Sequence, residues 1–192
     1  VRVPHRAVTV AALLVPFALA GCGPDTSPVP EQAADRYVCA GVPHEAMSLI
    51  IGDDELHVRF DEGSWDLERS LSCGVGSARD GEDDGRRDPE VAVFRSYLPW
   101  SGYLADEDAW REDRARRAGS TPVDADVPGW GYTYPDGDAR WMSGWMCESG
   151  SELQVMVRRS HGARDGAEDA ERLLRSMLPW HCGDQEAPRR TE

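Results

Sequence analysis

From Trp130 to Val157 the chain reads Trp130-Gly-Tyr-Thr-Tyr134, Pro135-Asp-Gly-Asp138, Ala139-Arg-Trp-Met-Ser-Gly-Trp-Met-Cys147, Glu148-Ser-Gly-Ser151 and Glu152-Leu-Gln-Val-Met-Val157. Large apolar side chains recur at every second position in all three runs, and the two stretches between them carry turn residues. This pattern predicts a three-stranded antiparallel meander. If the first turn joins Tyr134 to Ala139, Tyr132 lies opposite Trp141 and Trp130 opposite Ser143, which would put the aromatics on one face. That face is either a stacking surface for a ligand, formed by Trp130, Tyr132, Tyr134 and Trp141, or part of the core.

The segment that follows favours the core. Asp165 can cap a helix with Glu168 three residues on, and Ala170, Leu173, Leu174, Met177 and Leu178 recur at helical spacing until Pro179, which is expected to end the helix. An apolar helix stripe of this kind needs an apolar sheet face to cover.

The first half repeats the plan more loosely. Pro43 suits a first helical turn, Met47, Ile50 and Ile51 form a stripe, and Gly52 can close the helix. Leu56, Val58 and Phe60 alternate as a half-buried strand. Trp65, Leu67, Leu71, Cys73 and Val75 suggest a second, and the run from Val91 to Leu98 a third. Between the halves, residues 106–118 predict a helix with acids at its start, arginines at its end, and the i,i+4 pairs Glu112–Arg116 and Asp113–Arg117. Its apolar face is thin, so it is expected to be solvated.

Leu98-Pro99-Trp100 recurs as Leu178-Pro179-Trp180, and the spacing from Cys39 to Cys73 nearly matches that from Cys147 to Cys182. Both hint at an α-β-β-β duplication with halves at 38–103 and 104–183. Within it, Cys39 would pair with Cys73 and Cys147 with Cys182. The pairing of Cys39 with Cys182 and Cys73 with Cys147 stays open, because four cysteines allow three connectivities. The expected fold class is α+β: one antiparallel sheet or two, covered by helices and tied by two disulfides.

Residues 1–21 carry Arg2 and Arg6, then an uncharged apolar run from Ala7 to Ala20. Fourteen such residues are too few for a helix to span a bilayer core of about 30 Å, so the stretch reads as a secretory signal peptide. It closes on Leu19-Ala20-Gly21-Cys22, which resembles the lipobox of bacterial lipoproteins. The resemblance implies acylation of Cys22, with diacylglycerol and palmitate-type chains holding the protein on the outer face of the cell membrane. Residues 22–37, with three prolines and little to bury, read as a tether, residues 38–183 as the globular domain and residues 184–192 as a polar tail. Val38-Cys39-Ala40-Gly41-Val42-Pro43 and Glu171-Arg-Leu-Leu-Arg-Ser-Met-Leu178 before Cys182 are similar to small actinobacterial cell-surface lipoproteins. That similarity implies localisation and fold rather than an activity.

The 192 residues hold 35 acids and 21 basic residues, a formal net charge of -14, and every basic residue is Arg because the sequence has no Lys. The lack of Lys excludes Schiff-base, pyridoxal and Ser-Lys chemistry and a Walker-type phosphate loop. Strong negative charge argues against nucleic acid as a partner and favours cations or basic proteins. Asp80-Gly81-Glu82-Asp83-Asp84-Gly85 lacks the Glu that a calcium loop needs at its twelfth position, where Val91 stands, and Arg86 and Arg87 would repel a cation. His44, His57, His161 and His181 show no metal-ligand spacing, and no nucleophile elbow occurs. No metal, cofactor or catalytic residue is expected. The reading is a membrane-anchored, non-catalytic envelope protein that binds a ligand or protein partner. A cell-envelope hydrolase working through two acidic residues is the competing class.

Overall fold

The computed structural model describes residues 26–32, 35–63, 70–78, 89–97 and 107–191. Residues 1–25, with the signal and Cys22, lie outside this set. So do Trp65, Leu67, the acidic loop at 80–85 and Leu98-Pro99-Trp100.

Among the described residues the chain forms β1 (Tyr37–Cys39), β2 (Val42–Pro43), α1 (His44–Ile51), β3 (Leu56–Gly63), β4 (Leu71–Ser77), β5 (Val91–Tyr97), α2 (Glu107–Arg116), β6 (Thr121–Val123), β7 (Gly129–Pro135), β8 (Trp141–Cys147), β9 (Ser151–Val157) and α3 (Gly166–His181). Strands β1 and β2 pair with each other, and the other seven form one antiparallel sheet in the order β3-β4-β5-β9-β8-β7-β6. The fold is α+β, as expected. The sheet consists of two meanders, β3-β4-β5 and β7-β8-β9, joined edge to edge where β5 pairs with β9 from Val91↔Val157 to Tyr97↔Ser151. Edge strand β6 adds to the second meander and was not foreseen.

Period two sorts the sheet into two faces, because successive side chains point to opposite sides. Leu71, Cys73 and Val75 of β4, Val91 and Val93 of β5, Leu153, Val155 and Val157 of β9, and Trp145 and Cys147 of β8 are all buried in one cluster. Met47 and Ile50 of α1 and Ala170, Leu173, Leu174 and Met177 of α3 complete it, each with no exposed surface. The periodic positions picked out in the sequence therefore do meet. Each fully buried Leu, Ile or Met contributes about 1.5–3 kcal/mol through loss of apolar contact with water.

The ends of both helices have local causes. Gly52 closes α1 at φ 76°, where its N–H donates to the Ser48 carbonyl at 2.7 Å. Asp165 caps α3 by accepting from the Ala167 and Glu168 amides at 2.8 and 3.4 Å. Pro179 does not end α3, which continues to His181. Sitting in the last turn, the ring withholds only one hydrogen bond. The terminal carbonyl of Leu178 still accepts from the Cys182 and Gly183 amides at 2.9 and 3.2 Å.

Both disulfides take the pairing within halves, Cys39–Cys73 and Cys147–Cys182. The rival connectivity is excluded. Each half carries one meander whose middle strand, β4 or β8, holds a disulfide cysteine, and a helix, α1 or α2, precedes each meander; β6 and α3 have no counterpart in the first half among the described residues.

Two segments read as loose are docked. Val29, inside the expected tether, has no exposed surface and joins the core. The chain there is held by the Arg164 Nη1 donating to the Ser27 carbonyl at 2.8 Å and by Glu31 against Arg172 at 3.3 Å. In the tail, the Pro188 carbonyl accepts from Gly41 N–H at 2.8 Å, and the Tyr37 N–H donates to the Thr191 hydroxyl at 2.8 Å.

Candidate functional site

The β7–β8 register decides where the aromatic residues go. Asp136 N–H donates to the Arg140 carbonyl at 2.8 Å, which closes a hairpin whose paired residues are Pro135↔Trp141, Tyr132↔Gly144 and Trp130↔Met146. Relative to the expected pairing of Tyr132 with Trp141, β8 is displaced by three positions. An odd displacement reverses the face of every side chain. Trp130, Tyr132 and Tyr134 therefore lie on one side of the sheet, and Trp141 and Trp145 on the other, with α3.

Helix α2 covers the Trp130 side, so the helices occupy both faces of the sheet and α2 is not simply solvated. Its one large apolar residue, Trp110, is buried and meets Trp130 edge-on with ring centroids 5.1 Å apart. Arg114 lies over the Trp110 ring at 4.3 Å and the Tyr134 ring at 5.2 Å, and it donates to the Tyr134 hydroxyl at 2.5 Å. A guanidinium over aromatic faces is attracted by their quadrupoles, and its stem covers apolar surface. The expected i,i+4 pairs of α2 both form, Glu112 with Arg116 at 2.5 Å and Asp113 with Arg117 at 3.3 Å. Trp130 and Tyr132 remain half-buried and Tyr134 is buried. Of the four expected stacking residues, Trp130 and Tyr134 form the seat of α2, Tyr132 packs against Trp130, and Trp141 lies on the α3 side.

Beneath α2 sits Glu152, buried on β9, with Arg114 at 3.8 Å and the Gln154 side-chain amide donating to it at 2.5 Å. Burial raises its pKa to about 7, because desolvation of the carboxylate outweighs the opposing pull of Gln154, Arg114 and Arg117. The native state thus binds a proton that the unfolded chain releases near pH 4.5, so stability falls as pH rises from about 4.5 through 7. Glu152→Gln, a neutral near-isostere, is expected to raise unfolding free energy by about 2–3 kcal/mol at pH 8 and to leave it unchanged at pH 4. Urea midpoints measured at both pH values check this; an equal change at both would refute it.

On the opposite face, beside α1, lies a cavity of about 750 Å³. Four residues of α1, His44, Glu45, Ser48 and Leu49, form one wall at i,i+4 spacing, followed by Gly52, Asp53 and Asp54 beyond the helix end. Asp35 and Arg36 come from the approach to β1, and His161 from the β9–α3 loop. His161 is fixed by its N–H donating to the Ile50 carbonyl at 2.7 Å and by its ring resting on Gly52, where any Cβ would collide with it.

The cavity is electronegative: Asp35, Glu45, Asp53 and Asp54 face it, against one arginine, Arg36. Helix α1 has no basic residue in its last turn, so its C-terminal carbonyls add negative potential at the same place. Asp53 is buried and accepts from the Ser77 hydroxyl at 2.5 Å and the Glu55 amide at 3.1 Å. His44 Nδ1 lies 3.3 Å from the Ser48 hydroxyl. These contacts fix the wall, while Asp35, Glu45 and Asp54 are exposed.

Among the described residues, Cys147, His181 and Cys182 are the group that brings three metal-type donors together, within 4.8 Å. The two sulfurs are bonded to each other, which denies a metal the thiolates it needs. Burial, with Arg95 nearby, lowers the His181 pKa to about 3, so its ring is neutral.

Comparison with protein-family models, curated proteins and solved structures finds no match to this chain.

Proposed function

We propose that this protein is an exported, lipid-anchored binding protein of the cell envelope, whose domain takes up a small organic cation in the cavity beside α1 without chemically altering it. The observation that carries the reading is the cavity itself: about 750 Å³, with four carboxylates against one guanidinium. A volume of that size fits a small organic molecule. Its wall is positioned by backbone and side-chain hydrogen bonds, and its one buried carboxylate, Asp53, is engaged by Ser77 and Glu55.

Export is supported by the cysteines. Two disulfides use four of the five, in keeping with an oxidising compartment, and the fifth is Cys22 of the lipobox-like Leu19-Ala20-Gly21-Cys22. Without its signal the chain has 35 acids against 19 arginines. That excess raises the local concentration of cations.

Titration calorimetry with putrescine and spermidine, and with glutarate as the anionic control, tests the reading. Spermidine is expected to bind at 50 mM salt, to weaken at 500 mM, and to lose at least about tenfold in affinity in Glu45→Gln/Asp54→Asn, since each 1.4 kcal/mol is a factor of ten. Absence of saturable amine binding at millimolar concentration, or equal binding of glutarate, would overturn it.

A further inference from the structure

We propose that the cavity beside α1 holds its cation by a single primary ammonium group, seated at the C-terminal end of the helix against Asp53 and Asp54, with the rest of the ligand lying along Leu49 toward His44. This rests on the cation-binding reading above and assigns the binding to one end of the cavity.

The cavity runs along α1 from end to end. Asp35 and Arg36 lie beside its first residue, where the His44 N–H donates to the Arg36 carbonyl at 2.9 Å, and Glu45 belongs to the first turn. Gly52, Asp53 and Asp54 follow the last turn. Eight helical residues, rising about 1.5 Å each, put about 12 Å between the two ends. Exposed charges are screened over about 8 Å at physiological salt, so each end acts on a ligand group largely by itself.

The ends differ in their balance of charge. At the first, the carboxylates of Asp35 and Glu45 are opposed by the Arg36 guanidinium and by the positive pole of the helix. At the second, Asp53 and Asp54 add to the negative pole, the last turn holds no basic residue, and the one arginine of the lining is a helix length away. Both carboxylate oxygens of Asp53 already accept hydrogen bonds, from Glu55 and Ser77, so this residue supplies fixed charge. Asp54 is exposed in the lining and is the acceptor an ammonium can reach. The His161 ring, resting on Gly52, closes the cavity at this end.

The stretch between the ends suits an uncharged chain. It is lined by Ser48, whose hydroxyl lies 3.3 Å from His44 Nδ1, and by half-buried Leu49. The seat also selects the head group. A primary ammonium has three N–H donors for carboxylate oxygens, whereas a quaternary ammonium has none and is held by aromatic faces. Among the described lining residues there is no Trp, Tyr or Phe.

Titration calorimetry of the full chain at low salt, with spermidine, hexylamine and hexyltrimethylammonium, provides the test. Spermidine and the wild type come first, since absence of saturable binding there would overturn the cation reading and this inference with it. Asp54→Asn alone is expected to weaken spermidine at least about tenfold, and Glu45→Gln alone less than about twofold. Hexylamine, with its one ammonium, is expected to saturate the site and to bind at least about fivefold more tightly than hexyltrimethylammonium, which has the same charge and chain. In a protein that binds spermidine, three results would each overturn the seat and leave the cation reading standing. These are a loss in Glu45→Gln that equals or exceeds that in Asp54→Asn, no saturable binding of hexylamine, and equal or tighter binding of its trimethylated form.

Discussion

Replacing Asp169 by alanine is expected to lower the free energy of unfolding by about 3–5 kcal/mol, the largest loss for any single side chain described above. Asp169 and Arg164 are almost wholly enclosed, with side-chain exposures of 4% and 3%. The guanidinium donates to both carboxylate oxygens, at 3.0 and 2.6 Å, and its remaining nitrogen reaches the Ser27 carbonyl. Alanine leaves that cation buried without its counterion, which is the costly part. Replacing both partners by apolar residues removes the charge altogether, so Arg164→Met/Asp169→Leu is expected to be clearly more stable than Asp169→Ala. Urea unfolding of the three proteins decides; a single-variant loss below about 1 kcal/mol would show that the pair does not hold α3 to the N-terminal segment.

Removing the Cys147–Cys182 disulfide by Cys147→Ala/Cys182→Ala is expected to cost about 4 kcal/mol. The bond closes a loop with a sequence separation of 35, and the unfolded chain gains conformational freedom when that loop opens. His181 adds a pH dependence. Its folded-state pKa lies near 3, against 6.5 when unfolded, so the unfolded chain binds more protons and stability falls as pH drops below about 6.5. Glu152 acts in the opposite direction over part of that range. Unfolding of the wild type between pH 4.5 and 6.5 is therefore expected to be flatter than that of Glu152→Gln, in which only the histidine remains. An unchanged urea midpoint in the disulfide variant would refute the cross-link's contribution.

The sequence was most legible where one period ran unbroken. The meander read from Trp130 to Val157 alternates at period two and the stripe Ala170, Leu173, Leu174, Met177 recurs at helical spacing, so periodicity alone located β7, β8, β9 and α3. Register was less legible. Ala139 and Arg140 look as fit to begin a strand as Trp141, and the backbone bond from Asp136 to Arg140 that excludes them leaves no mark in composition. Helix α2 is exposed over most of its surface, as expected, but its docking was less legible: a lone Trp110 is a weak apolar signal, and the contact depends on Arg114, whose charge reads as solvated. The side of α1 that carries His44, Glu45, Ser48 and Leu49 was passed over, because only the apolar stripe of Met47, Ile50 and Ile51 gives a periodic signal. What brings it opposite His161, more than a hundred residues away, is the closing of the sheet.

That closing has its own consequence. Each disulfide lies within one half of the chain, and neither crosses the junction of β5 with β9, whose partners Tyr97 and Ser151 are more than fifty residues apart. During synthesis β5 therefore waits as an open edge, with Val91 and Val93 unburied, until the ninth strand emerges. High contact order of this kind slows folding and leaves an apolar edge available to other chains. Oxidation within the halves cannot shorten that wait, so the nascent protein is most prone to aggregate while its sheet lacks a centre.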